Sequence, residues 1–379
     1  MRPDTLPAQS GPAATLVFMP RASLKGRGTA WAIEHRFTSQ AHQSVDDGWG
    51  TLEQAAREEA AAPGTQIIEQ RVKSILSGNE SPDIPFDLSI NPYRGCEHGC
   101  IYCFARPTHS YLNLSPGLDF ETKIIAKVNA AERLREALCA RGFEPLPLNI
   151  GSATDAYQPA ERRLRITRSL IEVLAEFRHP FSIITKSSGI ERDIDLLAPL
   201  ARDRLAAVYV SIPTLDAGLA RVMEPRATAP ERRLRTIERL VHAGIPVGVS
   251  VSPLIPFLNE PELERVLERA RDAGATTAFA TVLRLPWEVN PLFQQWLQAH
   301  FPERAARVMA RVRELRGGRD NDSRFGQRMS GQGVWAQLLE QRFQKAARRL
   351  GLNRVRVELD LSQFRRPLDV AAQRQAALF

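Results

Sequence analysis

The stretch INPYRGCEHGCIYCFARPTH, residues 90–109, decides how the chain is read. Cys96, Cys100 and Cys103 fall on one short loop, and the whole chain has only 4 cysteines. Such crowding marks a site built around something. Side-chain chemistry leaves three readings open. A zinc site would need a fourth ligand, with His98 or His109 at hand. Thiols without a metal are the second. The third is an iron–sulfur cluster, which thiolates hold. Three thiolates on a four-iron cluster leave one iron open, which is what a reactive site requires.

Outward from this loop, the chain alternates. FDLSINPY (86–93) reads as a short extended stretch entering the cysteines, and KIIAKVNAAERLREALCARG (123–142) as a helix ending at Gly142. LPLNIGS is a strand. PAERRLRITRSLIEVLAEFR (159–178) is a helix with Leu164, Leu170, Ile171, Leu174 and Phe177 on one face. FSIITKS, LAAVYVSIPT, IPVGVSVSPLIP and ATTAFATVLRLP follow as strands. IERDIDLLAPLARD, PERRLRTIERLVHAG and EPELERVLERARDAG are the helices between them. Continuous apolar runs in the strands suit a parallel sheet buried on both faces. Six strands in β-α series make an open sheet or a barrel, whole or partial, with its chemistry at the C-terminal strand ends.

Residues 1–85 form an N-terminal extension of mixed composition, with the first dozen expected to be disordered and 51–62 a short helix. Residues 86–288 form the core. Residues 289–379 carry basic helices, PERAARVMARVRELRGGRDN and GQGVWAQLLEQRFQKAARRLG, and VRVEL as a final strand. The 379 residues are 43% hydrophobic, enough for a sizeable core, and 25% charged, with a net charge of +8. That balance permits a polyanionic partner. Four cysteines are no disulfide framework and suit a reducing compartment. No signal peptide and no membrane span is read, so the expected location is the cytoplasm.

C-x3-C-x2-C with Tyr102 just before the last cysteine resembles the radical S-adenosylmethionine (SAM) superfamily, over about residues 86–288. Within it the likeness is to the spore photoproduct lyase-like, DNA repair photolyase-like group. It is carried by NPYRGCEHGCIYCFARPTH, GSATDAYQPAERRLRITR, SIITKS, VSIPTLD and MEPRATAPERRLRTIERLVHAGIPVGVSVSPLIP. The resemblance implies a partial (β/α)6 barrel. It implies that Cys96, Cys100 and Cys103 hold a [4Fe–4S] cluster and that SAM docks on the fourth iron. An electron from flavodoxin or ferredoxin would then split SAM into methionine and a 5′-deoxyadenosyl radical, which takes hydrogen from a substrate.

It further implies that a hydroxyl in GSATD meets the SAM amino group, Thr154 first and Ser152 second, with Asp155 orienting them. Lys186 would pair with the SAM carboxylate and Ser211 would touch SAM. Tyr102 would touch the adenine, and Val251 with Pro253 would line the adenine and ribose pocket. Read from residue type alone, GSATD is a capped strand-to-helix turn and Lys186 a solvated lysine. Arg94, Arg106, His109 and Arg226 are candidates to face substrate, more ordinarily structural, and His98 shapes the loop. True spore photoproduct lyases carry a hydrogen-donating cysteine at the end of the second strand. Ser152 stands there in this chain, so that reaction does not carry over. Cys139 is expected in the core, away from the site.

The leading function is therefore a radical SAM enzyme acting on nucleic acid or another large substrate. Its support is the group resemblance together with Arg304, Arg307, Arg311, Arg313 and Arg316 of the C-terminal helices. The alternatives are a radical SAM enzyme on a small molecule or peptide, and a non-enzymatic iron–sulfur or zinc protein.

Overall fold

The computed structural model describes residues 24–38, 64–355 and 357–367. The expected helix over 51–62 and the first dozen residues lie outside the described residues.

Six parallel strands follow one another across one sheet: β1 (Leu88–Ile90), β2 (Leu148–Ile150), β3 (Phe181–Thr185), β4 (Ala206–Ser211), β5 (Val247–Leu254) and β6 (Thr277–Val282). A seventh strand, Leu76–Gly78, covers the free edge of β1 in the antiparallel sense. Helices α1 (Ala130–Cys139), α2 (Ile166–Glu176), α3 (Ile194–Arg202), α4 (Pro230–His242) and α5 (Leu263–Asp272) fill the five connections. Each new strand adds to the same side, and the sheet does not close on itself among the described residues. This is the partial barrel the sequence implied.

The expectation of strands apolar on both faces holds for one face. Side chains alternate along a strand. The helix-facing set, including Ile90, Ile150, Ile183, Val208, Val210, Val249 and Val251, packs with Leu134, Leu170, Leu174, Leu197, Leu234 and Leu267 into one core. Each such side chain contributes about 1.5–3 kcal/mol when buried. The register puts the other set on the inner face in layers. Asn149 and Ser182 lie in one layer and Ile184, Tyr209, Gly248 and Thr277 in the next. Ser211, Ser250 and Phe279 lie above these, towards the C-terminal ends. That face is polar and aromatic, so the barrel interior is not packed as a core.

Two helices expected whole are interrupted. Lys123–Lys127 is a strand, paired with Gln66–Gln70 and with Tyr93–Arg94 in a small second sheet. Ile124, Ile125 and Ala126 are all buried there, and pairing with two distant strands overrides the local helical pattern. The 159–178 helix breaks at Arg165, whose φ is 53°. The break lets the buried carboxylate of Glu161 accept the Thr167 N–H at 3.0 Å and cap α2.

Helices α6 (Val289–His300), α7 (Pro302–Leu315) and α8 (Gly333–Leu350) make the C-terminal region helical. Phe343, Ala346 and Ala347 of α8 join the main core. α6 and α7 build a second core around Trp296, Phe293 and Val308, and Ile101 and Tyr102 of the cysteine loop rest in it. Val355 and residues 357–359 form no strand, in contrast to the reading of VRVEL. Cys139 is exposed rather than buried. The buried face of α1 runs through Ala130, Leu134 and Leu138, and the next residue points away from it. Among the described residues no helix is long and apolar enough to cross a membrane.

Candidate active site

The loop after β1 is tied down on every side by main-chain bonds. Cys96 N–H donates to Phe120 O at 2.9 Å, Ile101 N–H to Met223 O at 3.1 Å, and Cys103 N–H to Cys100 O at 3.2 Å. Gly99 has φ 67°, and a Cβ there would stand 2.6 Å from Glu121 Oε2, so only glycine serves. Arg106, wholly buried, is the nail of the loop. It donates to the carbonyls of Cys100 (2.9 Å), Gly99 (3.1 Å), Gly117 (2.9 Å) and Pro116 (3.2 Å), and to Glu121 Oε1 (2.5 Å). Buried His109 meets Lys123 O through Nε2 at 3.0 Å, and burial pushes its pKa down to about 4. Neither side chain faces substrate; both are interior.

The described part of the N-terminal extension straps this loop from outside. Gly28 N–H donates to Glu121 Oε2 at 2.9 Å, Leu118 N–H to Trp31 O at 3.0 Å, and Ser115 Oγ to Ile33 O at 2.8 Å. Arg36 pairs with Glu288 at 2.8 Å.

Cys96 and Cys100 are buried and Cys103 half-buried, all as free thiols. Burial pushes the Cys96 thiol well up, with Asp155, Cys100 and Cys103 adding their negative charge. Cys100 is pushed up to about 12 by burial, against the pull of the Lys186 ammonium. The three sulfurs thus lie within electrostatic reach of one another in a pocket lacking positive charge for three thiolates. A bound iron cluster would supply that charge, so the donor set fits one. Among the described residues no three His, Cys, Asp or Glu side chains converge on a point that would hold a single ion. A cubane differs here: its thiolates bind separate corners and do not converge. The two histidines weighed as a fourth ligand each have a buried Nδ1 without a hydrogen-bond partner among the described residues. His98 Nδ1 stands 3.3 Å from Asp155 Oδ2, without the alignment of a hydrogen bond, and His109 is held by Lys123.

Around the cysteines the expected residues divide. Asp155 is a hub. Its carboxylate accepts from Thr185 Oγ1 (2.7 Å), Lys186 N–H (2.7 Å) and Tyr157 N–H (2.8 Å). Burial would raise this carboxyl, but the His98 ring and these donors hold it far below the usual range. Lys186 Nζ lies 5.9 Å from the Tyr102 ring centroid. Lys186 follows Thr185, the last residue of β3, which pairs with Val210, the residue before Ser211. Thr154 is buried, and its hydroxyl is turned to the loop, donating to Gly95 O at 2.7 Å. Ser152 Oγ accepts from Asn91 Nδ2 at 3.1 Å. Val251 has no exposed side chain and lies in the helix-facing core, so only its backbone meets the inner face. Its neighbours Ser250 and Ser252 have buried hydroxyls without partners on that face.

Two residues escaped the sequence reading. The Tyr102 hydroxyl donates to Glu224, which also accepts from Arg233; all three are buried. Burial would raise the Glu224 carboxyl, and Arg233 and Lys186 instead hold it down. The signal was the carboxylate in MEPR, a charge on an otherwise apolar approach to a turn. A separate cavity of about 410 Å³ lies at the opposite end of the sheet, lined by Arg204, Ala206, Pro246, Thr276 and Arg354, far from this chemistry.

Residues 90–270 match the radical SAM superfamily, and the chain belongs to it. Its barrel is that of spore photoproduct lyase. A variant of that enzyme superimposes with a TM-score of 0.56 at 14% identity, over 84% of this chain and 87% of the other. A second variant, with bound AdoMet and dinucleoside spore photoproduct, gives 0.53 at 14% identity, over 76% and 80%. At these identities the likeness is one of fold. Relatives in sequence include the protein Rv2578c of Mycobacterium tuberculosis, 37% identical over 257 residues, 66% of this chain and 74% of the relative. The protein MJ0683 of Methanocaldococcus jannaschii is 25% identical over 238 residues, 63% and 85% of the two chains. As a member of that superfamily the chain is an enzyme.

Proposed function

We propose that Cys96, Cys100 and Cys103 hold a [4Fe–4S] cluster whose fourth iron takes SAM, and that the enzyme uses it to abstract hydrogen from a nucleic-acid substrate. When bound, the cluster and SAM together supply a 5′-deoxyadenosyl radical, given one electron from a carrier such as flavodoxin or ferredoxin. The single observation that carries this reading is the three-thiol loop, nailed by Arg106 across the C-terminal ends of the strands.

The chain's own groups have separable tasks. Lys186 sets an ammonium beside the cluster loop, where it attracts the SAM carboxylate. Ser211, with Ser250 next to it, offers hydroxyls on the inner face. Tyr102, held by Glu224, would touch the adenine. Asp155 orients the Lys186 backbone, and Thr154 fixes the loop. Ser152 is a poor hydrogen donor, so a different group returns hydrogen to the product. The strap and the α6–α7 core hold the cysteine loop in place. Residues 86–288 are the catalytic core in this reading, and a loop that needs three reduced thiols suits a reducing compartment such as the cytoplasm.

The test is anaerobic reconstitution with iron and sulfide, then SAM and dithionite. The proposal requires a brown protein that forms 5′-deoxyadenosine. A colourless protein with stoichiometric zinc would overturn it.

A further inference from the structure

The C-terminal arginines that first suggested a polyanionic partner are largely spent. Arg311 pairs with Glu314 at 2.7 Å and Arg313 with Asp320 at 2.7 Å. Arg316 is interior, donating to Gln327 O at 2.9 Å and Arg328 O at 3.0 Å. Arg342 and Arg349 pair with acidic residues of the α5 region.

The barrel mouth differs. Among the described residues Arg284, just past β6, has no carboxylate partner. Its guanidinium lies 5.3 Å from the ring centroid of Phe104, and among those residues its hydrogen-bonding contact is Met329 Sδ at 3.8 Å. The nearby Arg328 and Asp83 are paired with each other at 2.5 Å. Phe104 follows Cys103 directly and is 48% exposed. A half-buried cation with no anion is a standing cost, which an incoming phosphate removes.

At the other end of the 3-10 segment Arg106–Leu112 stands a second exposed group: Tyr111 (68%), Trp287 (65%) and Phe37 (52%). Arg36 lies over all three rings, at 4.4 Å from Trp287, 4.7 Å from Phe37 and 5.3 Å from Tyr111. Its pairing with Glu288 fixes the arrangement without covering the rings. Both groups draw on the same two chain segments, the exit of the cysteine loop and the exit of β6, and the second adds Arg36 and Phe37 of the strap. So many exposed aromatic faces on one rim mark an interaction surface.

We propose that this rim, Phe104 with Arg284 and Tyr111 with Trp287, seats an unpaired strand of nucleic acid, its bases on the rings and a phosphate on Arg284. A duplex hides the faces of its bases, whereas a single strand presents them to aromatic and guanidinium planes. A strand seated on Phe104 lies one residue from the cluster loop and delivers a nucleotide to the mouth. The inference rests on the nucleic-acid half of the function proposed above and adds the strandedness and the surface.

Fluorescence anisotropy of the reconstituted full chain, at low salt, tests it with a labelled oligothymidine and a labelled hairpin duplex. The single strand binds more tightly, and Arg284→Gln, Phe104→Ala and Trp287→Ala each weaken it about tenfold or more. Arg304→Gln, on the exposed side of α7, leaves binding unchanged. The 400 nm absorbance of each variant verifies that it is folded and loaded. The inference fails if the hairpin binds as tightly as the single strand. It fails equally if the rim variants bind like the parent, or if the parent binds neither. None of these outcomes touches 5′-deoxyadenosine formation, which tests the radical reading separately.

Discussion

Replacing Arg106 by methionine keeps an unbranched apolar stem and removes five donors from the interior. Four carbonyls, of Cys100, Gly99, Gly117 and Pro116, lose the Arg106 donor, Cys100 O keeping the Cys103 N–H, and Glu121 is left as a buried carboxylate without the Arg106 cation. Breaking a buried ion pair on one side costs about 3–5 kcal/mol. Gly28 N–H still bonds Glu121, so the carboxylate is not wholly stranded, and the lower part of that range applies. The double variant Arg106→Met with Glu121→Leu removes the stranded charge and recovers most of the stability. It does not recover the four carbonyl bonds that shape the loop. Urea unfolding of the apoprotein and iron counting after anaerobic reconstitution read the two effects apart. The expected outcome is low stability and low iron for the single variant, and near-parental stability with low iron for the double. Full iron in the double variant would refute the argument that Arg106 shapes the cluster loop.

Other outcomes follow from the same geometry. Serine at Cys96, Cys100 or Cys103 abolishes the 400 nm absorbance, whereas Cys139→Ser, on the exposed end of α1, keeps it. In Gly28→Ala a Cβ would stand 1.7 Å from Gly99 O, so the strap must lift; hydrogen exchange of residues 96–103 then quickens, and unchanged exchange would contradict the strap. His179, buried beside Phe143 and Phe364, has its pKa pushed down to about 4 by burial. The unfolded chain therefore takes up the proton first, so stability is full above about pH 6.5 and falls as pH drops toward 4. The gap corresponds to about 3 kcal/mol. His179→Leu flattens that slope in urea midpoints measured at pH 7 and pH 5.

The legible parts of the sequence were those where local pattern and tertiary role coincide. The cysteine spacing announced the loop, and VYVS, VGVSVS and SIIT announced the strands, since β-branched runs between helical periods have few other uses. Misreadings arose where a distant partner decided the outcome. Lys123–Lys127 looks helical until Gln66–Gln70 pairs with it, and nothing local announces that strand. Arg165 breaks a helix because Glu161 is required in the interior. The Tyr102–Glu224–Arg233 chain joins residues remote in sequence, and the acceptors of the C-terminal arginines could not be known before the fold was in hand. Side-chain alternation also redirected attention on β5 from Val251 to Ser250 and Ser252.

Electron paramagnetic resonance of the dithionite-reduced, reconstituted protein, recorded before and after adding SAM, tests the central claim most directly. An open iron in reach of SAM predicts the signal of a reduced four-iron cluster that shifts when SAM is added. A signal that SAM leaves unaltered, or none at all from a protein carrying its full iron, would contradict it.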